Sequence, residues 1–405
     1  MTDTIIIGGG AAGCVAAIYA ARWGKSVMLF EKNERIGRKL RITGKGRCNV
    51  TNNSPTREHM ENIPVNSRFM YSSFAMYGAE ETMAFFEELG VPLKTERGNR
   101  VFPVSDNAED IVNALDRELK NLGVKIVRKA VKSLIIADGV CKGVIADGKE
   151  YRSQSVLVAC GGKSYPATGS TGDGYIFAEQ AGHTITELKP SLVPLTSPDK
   201  FCAELMGLSL RNVTLKLMEG EKTVYSEMGE MLFTHFGMSG PLVLSASSHI
   251  KEMKPNRFKA VIDLKPALTA EQLDARIQRD FAENLNRDFQ NGIRKLLPAK
   301  LIPVIVKLSG IAPERKINSI TKEERRKFGE LIKAFPVRIS GFRPIDEAII
   351  TSGGVSVKEI DPKTMESKLV SGLFFAGEVI DVDAYTGGFN LQIAFSTAYS
   401  AALYL

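Results

Sequence analysis

The chain has 405 residues, with 53 Lys or Arg against 46 Asp or Glu and a formal net charge of +7. Its hydrophobic share is 44% and its charged share 24%, close to the averages of globular proteins. That length allows two or three domains, and that composition excludes a disordered chain, a collagen and a coiled-coil rod.

Thr4-Ile5-Ile6-Ile7 is a short β-branched run that reads as a buried strand. Gly8-Gly9-Gly10-Ala11-Ala12-Gly13 follows and matches G-x-G-x-x-G. Cys14 to Trp23 is Ala-rich at helical spacing, with Gly24 as its stop. Ser26 to Phe30 is a second strand, ended by Glu31. Together these form a βαβ dinucleotide fingerprint in its required context. Gly8 permits the tight turn, Gly10 lets a pyrophosphate approach, and Gly13 lets the helix lie close on the sheet. The helix start, with Ala11 and Ala12, offers free N–H groups and partial positive charge to phosphates. Glu31 suits the adenosine ribose hydroxyls and repels a 2′-phosphate; Lys32 beside it is counted with the same site.

Gly37 to Asn49 carries Arg38, Lys39, Arg41, Lys45 and Arg47 among glycines, including Gly46. Such a loop can follow a diphosphate and bring N–H groups to a bound ring. Val124 to Val131 reads as an edge strand of the kind that contacts adenine in flavoproteins, which places Val131 at the cofactor. Ser155 to Gly162 is a hydrophobic strand ending in a glycine turn. From about 191 the pattern changes. Asn212 to Met218, Thr223 to Ser226 and Arg257 to Leu264 predict antiparallel strands. Thr269 with Gln272, and Thr321 with Glu324, are capping-box patterns ahead of helices. The helical segment ends near Pro336. Gly372 to Glu378 is a strand ending in Gly-Glu, and Tyr385 to Gln392 is a glycine-rich turn into a final helix. Flavoproteins of the glutathione-reductase type close their FAD domain this way. In that pattern Glu378 holds a ribityl hydroxyl, and the helix start at Phe389, Asn390 and Leu391 stabilises negative charge on reduced flavin.

Four blocks are more specific: Gly37–Asn52, Gly161–Gly174, Leu232–Pro241 and Gly377–Gln392. In this order they resemble the BaiN-like family of NAD(P)/FAD-dependent oxidoreductases, over essentially the whole chain. The resemblance implies an α/β fold, with a glutathione-reductase-type, Rossmann-like FAD-binding domain made of both chain ends. It also implies an inserted β-barrel-like domain and a helical domain. The expected boundaries are 1–190 and 337–405 for the FAD domain, 191–266 for the β-rich insert and 267–336 for the helical insert. Family activities include reduction of conjugated double bonds in 3-oxo bile acids and oxidation of aminoacetone.

Five scattered cysteines form no C-x-x-C pair, so neither a disulfide scaffold nor a dithiol mechanism is expected, and Cys48 reads as packing. The four histidines stand apart from them, and no metal site is expected. No apolar run reaches about 18 residues, so no membrane span and a cytoplasmic location are expected. The basic residues are interleaved with acids, as in Lys322–Lys327, and no nucleic-acid partner is expected. No second G-x-G-x-x-G follows a strand, so NAD(P)H is expected as a transient donor rather than a resident of its own domain.

The favoured reading is an FAD oxidoreductase. It takes hydride from NAD(P)H and delivers it from flavin N5 to the β-carbon of an unsaturated 3-oxo steroid, a small-molecule substrate. His235 and Tyr385 are the candidates for polarising the carbonyl and protonating the α-carbon. The alternatives are an oxidase of a small amino-ketone such as aminoacetone, using O2, and a flavin-binding protein that acts on RNA or senses redox state.

Overall fold

The computed structural model describes residues 2–254 and 256–405. The chain divides into two compact units. One runs to Ser191 and resumes over Ile345–Leu405; the other is Leu192–Pro344.

The first unit is built on a seven-stranded sheet. Strand Thr2–Ile7 lies between Val27–Phe30 and Lys149–Val158, parallel to both. Ile5 faces Met28 on one side and Val156 on the other. Leu373–Phe375 pairs parallel with the far edge of Lys149–Val158, so both ends of the chain meet on one strand. Ile5, Ile6, Leu157, Val158 and Phe375 are fully buried, as strands covered on both faces require. Helices Ala11–Arg22 and Phe389–Ala402 pack together, and both are rich in fully buried small residues, among them Ala16, Ala17, Ala398 and Ala401.

The expected edge strand from Val124 to Val131 is broken in two. Lys125–Val127 pairs with Val27–Phe30, whose ladder ends at Phe30 opposite Val127. The Glu31 N–H closes on the Val127 carbonyl, and Lys129 N–H turns back on the same oxygen. With no parallel partner beyond Phe30, Val131 opens a new strand instead, Val131–Ala137, antiparallel to Val140–Ala146.

The second unit holds another seven-stranded sheet, antiparallel throughout. Its long hairpin is Ser209–Glu219 with Lys222–Thr234. Leu215 and Leu217 are buried while Lys216 between them is exposed, the alternation of a sheet with one wet face. Helices Ala270–Ala282 and Lys322–Lys333 carry both capping boxes, Thr269 with Gln272 and Thr321 with Glu324. Strands and helices share one core: Ile277 and Phe328 cluster with Leu217, Phe233 and Phe335. The expected 336/337 boundary falls inside strand Phe335–Arg338, which pairs with Phe258–Asp263. The chain therefore stays in this unit to Pro344. Among the described residues no helix is long and apolar enough to cross a membrane.

Candidate cofactor site

The first glycine turn is dictated by close packing. Gly8 has φ +108°, and a Cβ on Gly13 would overlap the Gly8 carbonyl oxygen. Gly10 is different, since a Cβ there would meet nothing within 4 Å. It starts helix Ala11–Arg22, with no side chain capping the end. The first helical bond runs from Cys14 N–H to Gly10 O (3.0 Å), leaving the N–H groups of Ala11, Ala12 and Gly13 for a ligand.

Glu31 is buried at the end of the second strand. Its Oε2 accepts from Gly9 N–H (2.9 Å), and its Oε1 accepts from the backbone and side-chain N–H of Asn33 (both 2.7 Å). Oε2 retains a second lone pair for a hydroxyl. Arg38 donates to Asn33 Oδ1 (2.9 Å), and Lys32 pairs with Asp173 (2.7 Å). Asn33 also donates to the Thr168 carbonyl (3.2 Å). These bonds draw the blocks at 31–39 and 161–174 together.

The basic loop does not act as one body. Lys39 Nζ donates to Glu378 Oε2 and to Ser164 Oγ, both at 2.7 Å. Arg47 instead turns to Glu96 and Asp106 and lies over the Phe102 ring, 4.0 Å from its centre. Hydrogen bonds from Arg47 hold Glu96 below the usual carboxylate range; Lys94 and then Arg47 do the same for Asp106. Gly46 closes the short turn Thr43–Gly46. Cys48 is fully buried, and burial pushes its thiol up to about 11, so it is no thiolate at neutral pH. Asn49 has its Oδ1 buried without a partner.

At the C-terminal side, Gly377 lies against both helices. A Cβ there would be 3.0 Å from Ala12 Cβ and 3.8 Å from Ala394 Cβ. Glu378 follows, next to the first turn of the first helix. The last helix, Phe389–Ala402, starts after Gly388, again with no side-chain cap. Phe389 is buried edge-on to His59. Asn390 grips the preceding turn: its Oδ1 accepts from Ala384 N–H (2.8 Å), and its Nδ2 donates to the Ala384 carbonyl (2.7 Å). Leu391 is half-buried in the first turn. Tyr385 is half-buried just ahead, with its N–H on the Asn62 carbonyl (3.0 Å). Asn52 donates to the Gly387 carbonyl (3.0 Å), and its own Oδ1 is buried without a partner. Val131, at 7% exposure, heads the antiparallel pair rather than the parallel edge. His235 is exposed at the turn between Lys222–Thr234 and Gly237–Ser239 in the second unit.

Several residues that sequence reasoning did not single out hold this site. Thr351 N–H donates to Glu378 Oε1 (2.9 Å), and Ser164 Oγ donates to the same oxygen (3.1 Å). Asp383 is buried and accepts from Ser352 Oγ (2.9 Å) and Ser191 Oγ (3.2 Å). Burial raises its carboxyl to about 6, with Asp381 and Glu378 adding to the rise. Ser164 lies in a block the sequence does mark. Thr351 and Asp383 carry no local pattern.

These residues fit FAD. The open Cα of Gly10 lies under free N–H groups, the Oδ1 atoms of Asn49 and Asn52 are buried acceptors with nothing to accept, and Glu378 offers an oriented carboxylate. Ala11 to Gly13 would hold the pyrophosphate, Glu31 the ribose and Glu378 the ribityl chain.

The profile of the HI0933-like protein Rossmann domain matches residues 2–404. The 3-dehydro-bile acid delta(4,6)-reductase of Clostridium scindens is 33% identical over 98% of this chain and 97% of its own length. The ribosomal RNA dihydrouridine synthase of Haemophilus influenzae is 34% identical over 99% and 98%, and that of Escherichia coli 29% over 99% and 97%. Among solved structures, a 3-ketosteroid delta1-dehydrogenase from Sterolibacterium denitrificans superposes with a TM-score of 0.53, covering 99% of this chain and 98% of its own, at 14% identity. That last likeness is one of fold. The fold is a Rossmann-like FAD-binding one.

Proposed function

The chain belongs to the HI0933-like Rossmann family, and on that premise we propose that it is an FAD-dependent reductase of carbon–carbon double bonds conjugated to a carbonyl. The observation that carries this reading is Gly377–Glu378, set against both Ala12 and Ala394. It packs Gly377 against both helices, whose first N–H groups are uncapped, with the Glu378 carboxylate on the next residue. FAD, held by Ala11 to Gly13, Glu31 and Glu378, would supply two-electron hydride chemistry, with NAD(P)H as the donor and the β-carbon of the substrate as the acceptor.

The chain's own residues do the rest. The start of helix Phe389–Ala402 offers N–H groups and positive potential to an anionic ring edge. Asn390 fixes the turn that carries Tyr385. Tyr385 would polarise the substrate carbonyl.

For the substrate, the first reading is an unsaturated 3-oxo steroid, as the name of the Clostridium scindens relative suggests. A second reading is a uracil ring in RNA, whose C5–C6 double bond is conjugated to a carbonyl in the same way. Two observations favour it: the names of the Haemophilus influenzae and Escherichia coli relatives, and the partition of charge. The second unit holds 25 Lys or Arg against 17 Asp or Glu, while the first holds 28 against 29. The whole positive excess thus sits in the second unit, as polyanion binding would require.

Anaerobic enzyme with FAD should be bleached by NADH or NADPH. Adding a 3-oxo-Δ4 bile acid, or ribosomal RNA lacking dihydrouridine, should restore the yellow flavin spectrum with only one of the two. Failure of both to reoxidise the flavin would remove the reductase reading. Reoxidation by O2 with aminoacetone consumed and peroxide released would replace it with an oxidase.

A further inference from the structure

We propose that Thr351 is a positioning residue for the cofactor: from one strand it fixes both the Glu378 carboxylate and the 162–164 loop that shares it. This rests on the FAD reading above. Thr351 is 1% exposed and sits in the middle of strand Ile350–Ser352, which pairs antiparallel with Lys189–Ser191. Its N–H donates to Glu378 Oε1 (2.9 Å). Its Oγ1 accepts from the N–H groups of Lys163 (2.8 Å) and Ser164 (3.2 Å). Ser164 then returns its hydroxyl to Glu378 Oε1 (3.1 Å), while Lys39 bridges Ser164 and Glu378 Oε2.

The packing is as tight as the hydrogen bonding. A Cβ on Gly162 would lie 2.5 Å from Thr351 Oγ1 and 2.7 Å from Glu378 Oε1. Three separate elements therefore converge on one carboxylate: helix Arg38–Ile42 through Lys39, the glycine loop through Ser164, and the strand through Thr351. A Glu side chain has three rotatable torsions, and without these ties its oxygens would sample several positions. Held, both oxygens keep fixed directions; Oε1 is filled by Thr351 and Ser164, and Oε2, which accepts from Lys39, keeps a lone pair for a ribityl hydroxyl. Thr351→Val keeps the shape and the strand preference but removes the acceptor, leaving the buried Ser164 N–H and the partly buried Lys163 N–H unpaired. Thr351→Ser restores the acceptor.

The test is FAD titration of full-length apoprotein, read by flavin fluorescence, in a double-mutant cycle with Glu378→Ala. Thr351→Val should weaken FAD binding about tenfold or more, which corresponds to about 1.4 kcal/mol. Thr351→Ser should return it to within about threefold of the parent. In the Glu378→Ala background the Thr351→Val loss should shrink to near nothing, because the residue acts through that carboxylate. Unchanged affinity in Thr351→Val, or an undiminished loss in the Glu378→Ala background, would overturn the proposal. If Thr351→Val does not fold, Ser164→Ala enters the same cycle with the same outcomes. Parent apoprotein that takes up no FAD would instead overturn the cofactor reading itself, and this proposal with it.

Discussion

The chain turns into its first helix and into its last through glycines, but the two turns are constrained by different neighbours. At the last helix, a Cβ on Gly388 would overlap the Thr51 carbonyl group, so the chain itself forbids a side chain. At the first helix the constraint is split. Gly8 and Gly13 are closed off by backbone, the one by Ala159 and the other by Gly8, whereas Gly10 faces open space and has an ordinary φ of −87°. A glycine that the chain does not need for its own packing, at the uncapped end of a helix, is what a diphosphate would need. The comparison separates residues that build the site from residues that serve a ligand.

The largest expected effect follows from breaking the closed side. Gly13→Val puts atoms inside the Gly8 carbonyl, and neither backbone can give way without disturbing the end of strand Thr2–Ile7, which is paired on both sides. A loss of about 4 kcal/mol or more in chemical denaturation is expected. A loss under about 1 kcal/mol would mean that the helix can slide, and the comparison would fail at its strongest point.

Next in size is the buried carboxyl of Asp383, which tests whether the last turn is held by charge or by neutral hydrogen bonds. Burial raises it to about 6, from an ordinary 3.8. A raised carboxyl favours the protonated folded form. Its contribution is complete below about pH 4 and is lost as pH rises through about 6. The difference corresponds to about 3 kcal/mol. Asp383→Asn removes that titration. Relative to the variant, the parent should lose about 3 kcal/mol of stability between pH 4 and pH 8 in denaturant titrations. Parallel pH profiles would show that the parent carboxyl titrates normally.

Gly10→Ala probes the open side. The folded chain should tolerate it within about 1 kcal/mol, the difference between Gly and Ala at a helix N-cap. FAD affinity should fall about tenfold or more, because the methyl stands where the diphosphate must approach. Equal losses of stability and affinity would erase the distinction between the two kinds of glycine.

What the sequence reveals about this site follows the same division. The strand, the glycine turn and Glu31 are legible because they are contiguous and each residue type has a local cause. Gly377–Glu378 is legible as a strand ending in a turn. Thr351 is not, because its importance comes from sheet register: Pro190 lies opposite it, and Glu378 is brought to its N–H by a strand elsewhere in the chain. Asp383 is likewise made special only by Ser191 and Ser352, which are far from it in sequence. The break between Val127 and Val131 was hidden for a related reason, since it depends on where a neighbouring strand ends. Asn390 lies in a segment marked for the cofactor, yet both ends of its amide are committed to the backbone of Ala384.

The smallest expected effect separates two residues that composition treats alike. Lys39 and Arg47 are both cations of one glycine-rich loop, eight positions apart. Lys39 is largely covered and spends its charge on Glu378 and Ser164, inside the cofactor network. Arg47 is bound outward, between Glu96 and Asp106 and across the face of Phe102. Arg47 is thus already committed to two carboxylates and a ring face, and half-exposed pairs of this kind contribute little. Arg47→Ala should therefore leave FAD affinity within about twofold of the parent, while Lys39→Met should weaken it about tenfold, because only Lys39 is bound to Glu378. An affinity loss in Arg47→Ala as large as that in Lys39→Met would mean that Arg47 leaves its carboxylates when FAD binds. The basic loop would then act as one body, as its sequence suggests.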